Sequence, residues 1–233
     1  EILESEAPDL RRYHPREVVR QFTLSLRREL DFSTEGRSAE RIATSFDAHP
    51  EIVIPRIYWT WTCERLNVQD YIEGIPGRNL AALDAAGLDR ALLAQRGTDA
   101  VLKMILEDGF FHADLHPGNI YYLPDNRIAF IDFGMVGRIS GERRYQLAVL
   151  LHGLVSHDSA TVSDVLLDWS ENTETVSDTL QVEIDAFVDQ YHGVELRKLD
   201  IARLLSELLT ILRDHGLTLP PDLALLFKAF ITL

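Results

Sequence analysis

A chain of 233 residues with 46% hydrophobic side chains and 13 glycines can bury one large core or two small ones. Its formal charge of −14 and pI near 4.9 argue against nucleic acid as a partner, because phosphate backbones are held by Lys and Arg. A lone cysteine, Cys63, excludes an internal disulfide framework and fits a reducing compartment, and it is expected to be packed.

In chain order, Pro15 sits where a first-turn proline starts a helix, and Val18, Val19, Phe22, Leu26 and Leu30 recur at helical spacing. The arginines of this stretch form its wet face. Glu29, Asp31 and Glu35 follow; Asp31 and Glu35 share a helical face, and ion pairing with the neighbouring arginines accounts for all three on spacing alone. Ile52 to Tyr58 and Leu66 to Ile72 read as short strands around a turn near Thr62 to Arg65, and Glu73-Gly74-Ile75-Pro76-Gly77 reads as a hinge between two lobes. Trp59 and Trp61 could offer an adenine platform, although aromatic residues beside strands more often belong to a core or rim. Leu88 to Asp108 is predicted as a long helix closed by Gly109.

That helix delivers the chain to its most informative stretch, Phe110-Phe111-His112-Ala113-Asp114-Leu115-His116-Pro117-Gly118-Asn119. Two apolar runs, Ile120 to Leu123 and Ile128 to Ile131, flank the turn composition Pro124-Asp125-Asn126-Arg127, and Asp132-Phe133-Gly134 follows. A hairpin there brings Asp114, Asn119 and Asp132 to one place, although Asn119 and Asp132 are 13 residues apart. Phosphoryl transfer uses such a set: a carboxylate to orient or deprotonate the attacking group, and an amide and a carboxylate to hold magnesium on the phosphates. Asp-x-x-x-x-Asn with Asp-Phe-Gly at hairpin distance is two linked motifs, and together they match the protein-kinase pattern.

Ser140 is a suitable N-cap for a helix to about Val155, and no Ala-Pro-Glu follows, which argues against a protein substrate docked in the usual way. The remainder reads as helical, with stripes at Ile184, Phe187, Val188 and Tyr191, at Ile201, Leu204, Leu205, Leu208, Leu209 and Leu212, and at Leu223, Leu226, Phe227 and Phe230. From Tyr145 to Leu196 no Lys or Arg occurs among ten Asp and Glu, a solvated acidic surface that should repel anionic lipid headgroups. No charge-free apolar run approaches the ~18 residues of a spanning helix, so a soluble or peripheral chain is expected.

These residues resemble the UbiB (AarF-like) atypical kinases of the protein-kinase-like superfamily. Glu29-Leu30-Asp31 is similar to the family's Glu-x-Asp motif and Tyr71-Ile72-Glu73-Gly74 to its hinge; Phe111 to Asn119 is similar to its catalytic loop and Asp132-Phe133-Gly134 to its metal motif. The resemblance implies an α+β, protein-kinase-like fold. Residues 1–73 would form a partial N-lobe of helices and short strands, and 74–233 a mainly helical C-lobe with the catalytic hairpin. It implies that Asp114 is catalytic, that Asn119 and Asp132 hold magnesium, and that Glu35 pairs with the nucleotide-binding lysine while Glu29 and Asp31 meet a Lys-x-Gly-Gln segment. It further implies ATP and Mg as cofactors, a part in ubiquinone or other isoprenoid-lipid biosynthesis, and quinone-biosynthesis proteins or a lipid precursor as partners. The expected location is the cytoplasm or, for a full-length protein, the cytoplasmic face of the inner membrane, reached through regions absent here.

The lysines are Lys103, Lys198 and Lys228, all on helices of the expected large lobe. The phosphate-binding lysine and the Lys-x-Gly-Gln segment are therefore missing, and the chain is expected to be a fragment whose anionic cleft, with no lysine opposing it, binds ATP poorly. Three other readings fit parts of the pattern. An iron site could use His112, Asp114 and a distant His152; there His112 more plainly stabilises the catalytic loop by hydrogen bonding, and His116 is structural. Aminoglycoside or choline phosphotransferases share His-x-Asp-x-x-x-x-Asn. A nucleotide-sensing scaffold without catalysis is the third.

Overall fold

The computed structural model describes residues 31–170, 178–194, 201–217 and 219–231. The expected helix from Pro15, together with Glu29, lies outside them, as does Lys198. Helix α1, Phe32–Ser45, begins because the Asp31 carboxylate accepts hydrogen bonds from the Ser33 and Thr34 amides at 3.0 and 3.4 Å, and it buries Ala39 and Ile42.

The sheet is smaller than expected. Strand β1, Ile52–Val53, lies parallel to Arg127–Phe130, and the anticipated pairing of residues 52–58 with 66–72 survives at one isolated bridge, Ile57 to Gln69, with Cys63 bridging Leu66 across the turn between them. Two local features cut the ladder short. Pro55 has no N–H to donate, and the Asp70 carboxylate takes the Arg56 amide at 3.2 Å and the Tyr58 hydroxyl at 2.7 Å. Cys63 is exposed at this turn rather than packed. The breaker-rich connector is itself paired: Ile75–Pro76 forms β2 against the edge of Ile120–Leu123, and Gly77 donates to the Ile120 carbonyl at 2.8 Å. A side chain at Gly77 would place its Cβ 2.8 Å from the Pro117 carbonyl oxygen, so only glycine lets the connector lie against the 113–119 loop.

Helix α2, Leu80–Ala85, precedes α3, Arg90–Leu102, which Asp89 caps and which widens into a π-helical turn, Lys103–Asp108, ending at left-handed Gly109. Strand β3, Phe110–His112, pairs antiparallel with β6, Val136–Arg138. Between them stands the expected hairpin, β4 (Ile120–Leu123) and β5 (Arg127–Phe130), turned at Asp125 and Asn126, both left-handed with φ of 63° and 56°. Sheet order is β1-β5-β4-β2.

Helix α4, Gly141–Val155, starts where expected, with the Ser140 hydroxyl accepting from the Arg143 amide at 3.1 Å. Then come α5 (Ser159–Trp169), α6 (Asp178–Tyr191), α7 (Ile201–Asp214) and α8 (Pro221–Ile231), and the apolar stripes predicted for the last three lie in the core or pack against it. Trp169 meets the edge of Phe227 at 6.0 Å, so α8 closes on the bundle. One continuous core runs from α1 through the hairpin to α8. Among the described residues no helix is long and apolar enough to cross a membrane.

Candidate active site

The site is built on His112. The ring is 0% exposed; Nδ1 accepts the Asp114 amide at 3.1 Å, which leaves Nε2 to donate to the Ile131 carbonyl at 3.1 Å. With Nδ1 accepting, this imidazole is neutral, in keeping with the burial that pushes its pKa below the usual histidine value, and it bridges the 113–119 loop to the strand before Asp132. Both nitrogens face backbone groups, so His112 cannot ligate iron, and among the described residues no group of three His, Cys, Asp or Glu is placed to hold a metal.

Asn119 completes the loop. Its Nδ2 donates to the Asp114 carbonyl at 3.0 Å, and its own carbonyl accepts the Ile131 amide at 3.0 Å. That hydrogen bond assigns the amide orientation and leaves Oδ1 as the atom that can meet a cation. His116 Nδ1 accepts the Gly118 amide at 2.9 Å, a structural role as expected.

Asp132 stands at the hairpin exit with φ of 63°, a conformation that Asp tolerates better than most residues, and its Oδ1 faces the Gly134 amide at 3.4 Å. Phe133 is buried, its ring centroid 5.1 Å from that of His112. Glu35 reaches this point from α1. Burial first, and then the charge of Asp132, push its carboxyl up, while the Phe133 amide partly offsets them. Asp31 is fully occupied as the cap of α1: the Ser33 and Thr34 hydroxyls first hold its pKa down to about 2. Glu35 and Asp132 are thus brought together, whereas Asp31 faces the start of its own helix. Trp59 is tied to α1 by its indole N–H on Glu40 at 2.5 Å, and Trp61 is largely exposed.

One member of the site was not foreseen. Lys228 of α8 places Nζ 2.7 Å from Asp114 Oδ1 and 3.2 Å from the sulfur of Met135. It is the foremost cause holding the Asp114 carboxyl below the usual range. The expectation of a cleft with no opposing lysine is therefore corrected. A signal was present in the sequence: Lys228 is the one cation in the apolar stripe of Leu223 to Phe230. Of the other lysines, Lys103 is paired with Asp108 at 2.9 Å on the π-helical turn.

The 111–119 loop and the Asp-Phe-Gly turn, joined by a buried histidine and with the Glu35 carboxyl near Asp132, have the arrangement of a protein-kinase-like fold. Residues 1–166 match the ABC1 atypical kinase-like domain and residues 184–233 the UbiB helical domain, and the chain belongs to this ABC1/UbiB family. It is 30% identical over 240 residues to the probable protein kinase UbiB of Xanthomonas axonopodis pv. citri and 29% identical to that of Xylella fastidiosa. All of this chain is covered in both alignments, but only 43% of either relative. The chain thus spans less than half the length of these curated relatives. Among solved structures, Rv3197 from Mycobacterium tuberculosis, determined as a complex with erythromycin, superposes with a TM-score of 0.61 at 21% identity, over 92% of this chain and 56% of that one. That likeness supports the fold.

Proposed function

We propose that this chain is the catalytic portion of a UbiB-type atypical kinase or ATPase that binds Mg-ATP and supports ubiquinone or related isoprenoid-lipid biosynthesis. The observation that carries the reading is the locking of Asp114. Its amide is held by His112 and its carbonyl by Asn119, so the carboxylate projects from a fixed main chain beside the Asp-Phe-Gly turn.

The donor set fits magnesium. Asn119 Oδ1 and the exposed Asp132 carboxylate supply an amide and a carboxylate oxygen, as expected for an ion that otherwise keeps water and phosphate oxygens. When bound there it would screen the charge of the phosphates. In the transfer itself, the attacking oxygen bonds to the γ-phosphorus as the bond to the β,γ-bridging oxygen breaks. The electron pair leaves with ADP, and the attacking group's proton passes to Asp114, whose carboxylate is ionised well below neutrality. The Glu35 carboxyl, whose ionisation the Asp132 charge opposes, would serve as the partner of a nucleotide-binding lysine, as the family resemblance implies.

The test is a Mg-ATP titration by calorimetry on this chain and on a version extended to the relatives' length. The extended protein should bind with strict magnesium dependence and this chain more weakly. No binding by either would overturn the reading.

A further inference from the structure

We propose that Lys228 is a positioning residue for Asp114, so that the C-terminal helical segment sets the geometry of the catalytic carboxylate. This deepens the phosphotransfer reading above and rests on it.

Asp114 has three polar groups to be held. His112 takes its amide at 3.1 Å, and Asn119 Nδ2 and the His116 amide take its carbonyl at 3.0 and 2.9 Å. These hydrogen bonds shape the main chain from within the loop, and what remain are the side-chain torsions, through which the loop is also tethered to α8. Lys228 Nζ fixes those through Oδ1 at 2.7 Å; His116 Nε2 lies 3.8 Å from Oδ2, beyond hydrogen-bond distance. Oδ2 is left as the oxygen that orients the attacking group and receives its proton, while the γ-phosphorus exchanges its bond to the bridging oxygen for one to the attacking oxygen and ADP departs with the electron pair.

The lysine is held in register by its own helix. Its neighbours Phe227 and Ala229 are both 0% exposed, and Phe227 is seated on Trp169, so the backbone that carries Nζ cannot slide. The contact to the Met135 sulfur places the ammonium against both the catalytic loop and the segment just after Asp-Phe-Gly. The pair spans the two matched segments, since Asp114 lies within residues 1–166 and Lys228 within 184–233. Its side chains are 40% and 30% exposed, and pairs so wetted add little to stability. Orientation of the carboxylate is the effect that such a pair can deliver, and misplacing a reacting group by about 1 Å can cost ~10²-fold in rate.

The experiment uses the full-length protein as wild type, Lys228→Met, Lys228→Arg, Asp114→Asn and the Asp114→Asn/Lys228→Met double variant. Three quantities are read: ATPase kcat, Mg-ATP Kd, and amide hydrogen exchange over residues 112–119 against residues 141–155. Lys228→Met should lower kcat about tenfold to a hundredfold, leave Kd within about twofold because uniform binding is untouched, and raise exchange in 112–119 only. Lys228→Arg should recover most of both effects, and Lys228→Met should cost nothing further once Asp114 is Asn. Wild-type kcat with wild-type exchange in Lys228→Met overturns the proposal, as does an equal kcat loss in the Asp114→Asn background. If the wild type neither binds nor hydrolyses ATP, the functional reading fails by itself. The exchange difference then still decides whether Lys228 orders the loop: its presence supports the positioning role and its absence overturns it.

Discussion

Replacing His112 by Leu tests the architecture of the site without touching a charged group. The two side chains are close in volume, so packing is largely conserved, but two hydrogen bonds of 3.1 Å disappear. Each such bond is worth ~1 kcal/mol, and an orphaned amide or carbonyl costs ~1–3 kcal/mol where water cannot reach it. Asp114 and Ile131 are only partly buried, so the lower end of that penalty applies. The estimate is about 2–3 kcal/mol, which for a chain of this size lowers Tm by roughly 5–10 °C. The pH dependence supplies a second sign. Burial depresses the His112 pKa, so in the window below the ordinary value of 6.5 the unfolded chain binds the proton that the folded one refuses. Stability from this group is complete above that value and declines as pH falls through it toward the lowered folded pKa. His112→Leu should lose that component of the decline. Thermal unfolding followed by circular dichroism at pH 8 and at pH 5.5 reads both effects. A Tm within about 2 °C of wild type at pH 8, with an unchanged pH slope, would refute the bridging role.

Four further outcomes are expected. In the full-length protein Asp132→Asn and Asn119→Ala should each weaken magnesium-dependent nucleotide binding by about tenfold or more; calorimetry with affinity unchanged in both would remove them from the metal site. Asp114→Asn should cost roughly 10² or more in turnover with nucleotide affinity nearly intact, and a wild-type ATPase rate would make it structural. Gly137→Ala should destabilise by ~1–3 kcal/mol because the added Cβ would lie 2.2 Å from Phe111 Cζ in the β3–β6 pair, a clash that a denaturant titration will show as a lowered midpoint. Ser140→Ala should remove the α4 cap at a cost of ~1 kcal/mol, and an unchanged midpoint would mean that water replaces the hydroxyl.

What could be read in the sequence was what is encoded locally. Ser140 and Gly109 announced the ends of their helices, and Pro124 to Arg127 announced the hairpin, because caps and turns use side chains within a few residues of the backbone groups they serve. His112 is local in the same sense, since one of its two hydrogen-bond partners is only two residues away. The strands expected over residues 52–72 shrink to β1 and one bridge because alternation of side chains does not reveal whether a partner strand exists. There Pro55 lacks a donor and the Asp70 carboxylate takes the Arg56 amide, so the pairing stops at the bridge around Ile57 and Gln69.

Lys228 lay beyond such reasoning: 114 positions separate it from Asp114, and nothing in the spacing of either motif brings α8 to the 113–119 loop. The pattern nevertheless held a clue. A lysine between Phe227 and Ala229, both buried, must send its ammonium along whatever surface those residues seal, because an unpaired buried charge is prohibitively costly and the stem can travel only a few bonds to water. Here that surface ends at Asp114. The cleft that looked wholly anionic from Asp114, Asp132 and Glu35 thus has one carboxylate neutralised from the far end of the chain. The carboxylates that remain for a cation to meet are Asp132 and, behind it, a Glu35 whose own ionisation is already opposed by burial and by Asp132.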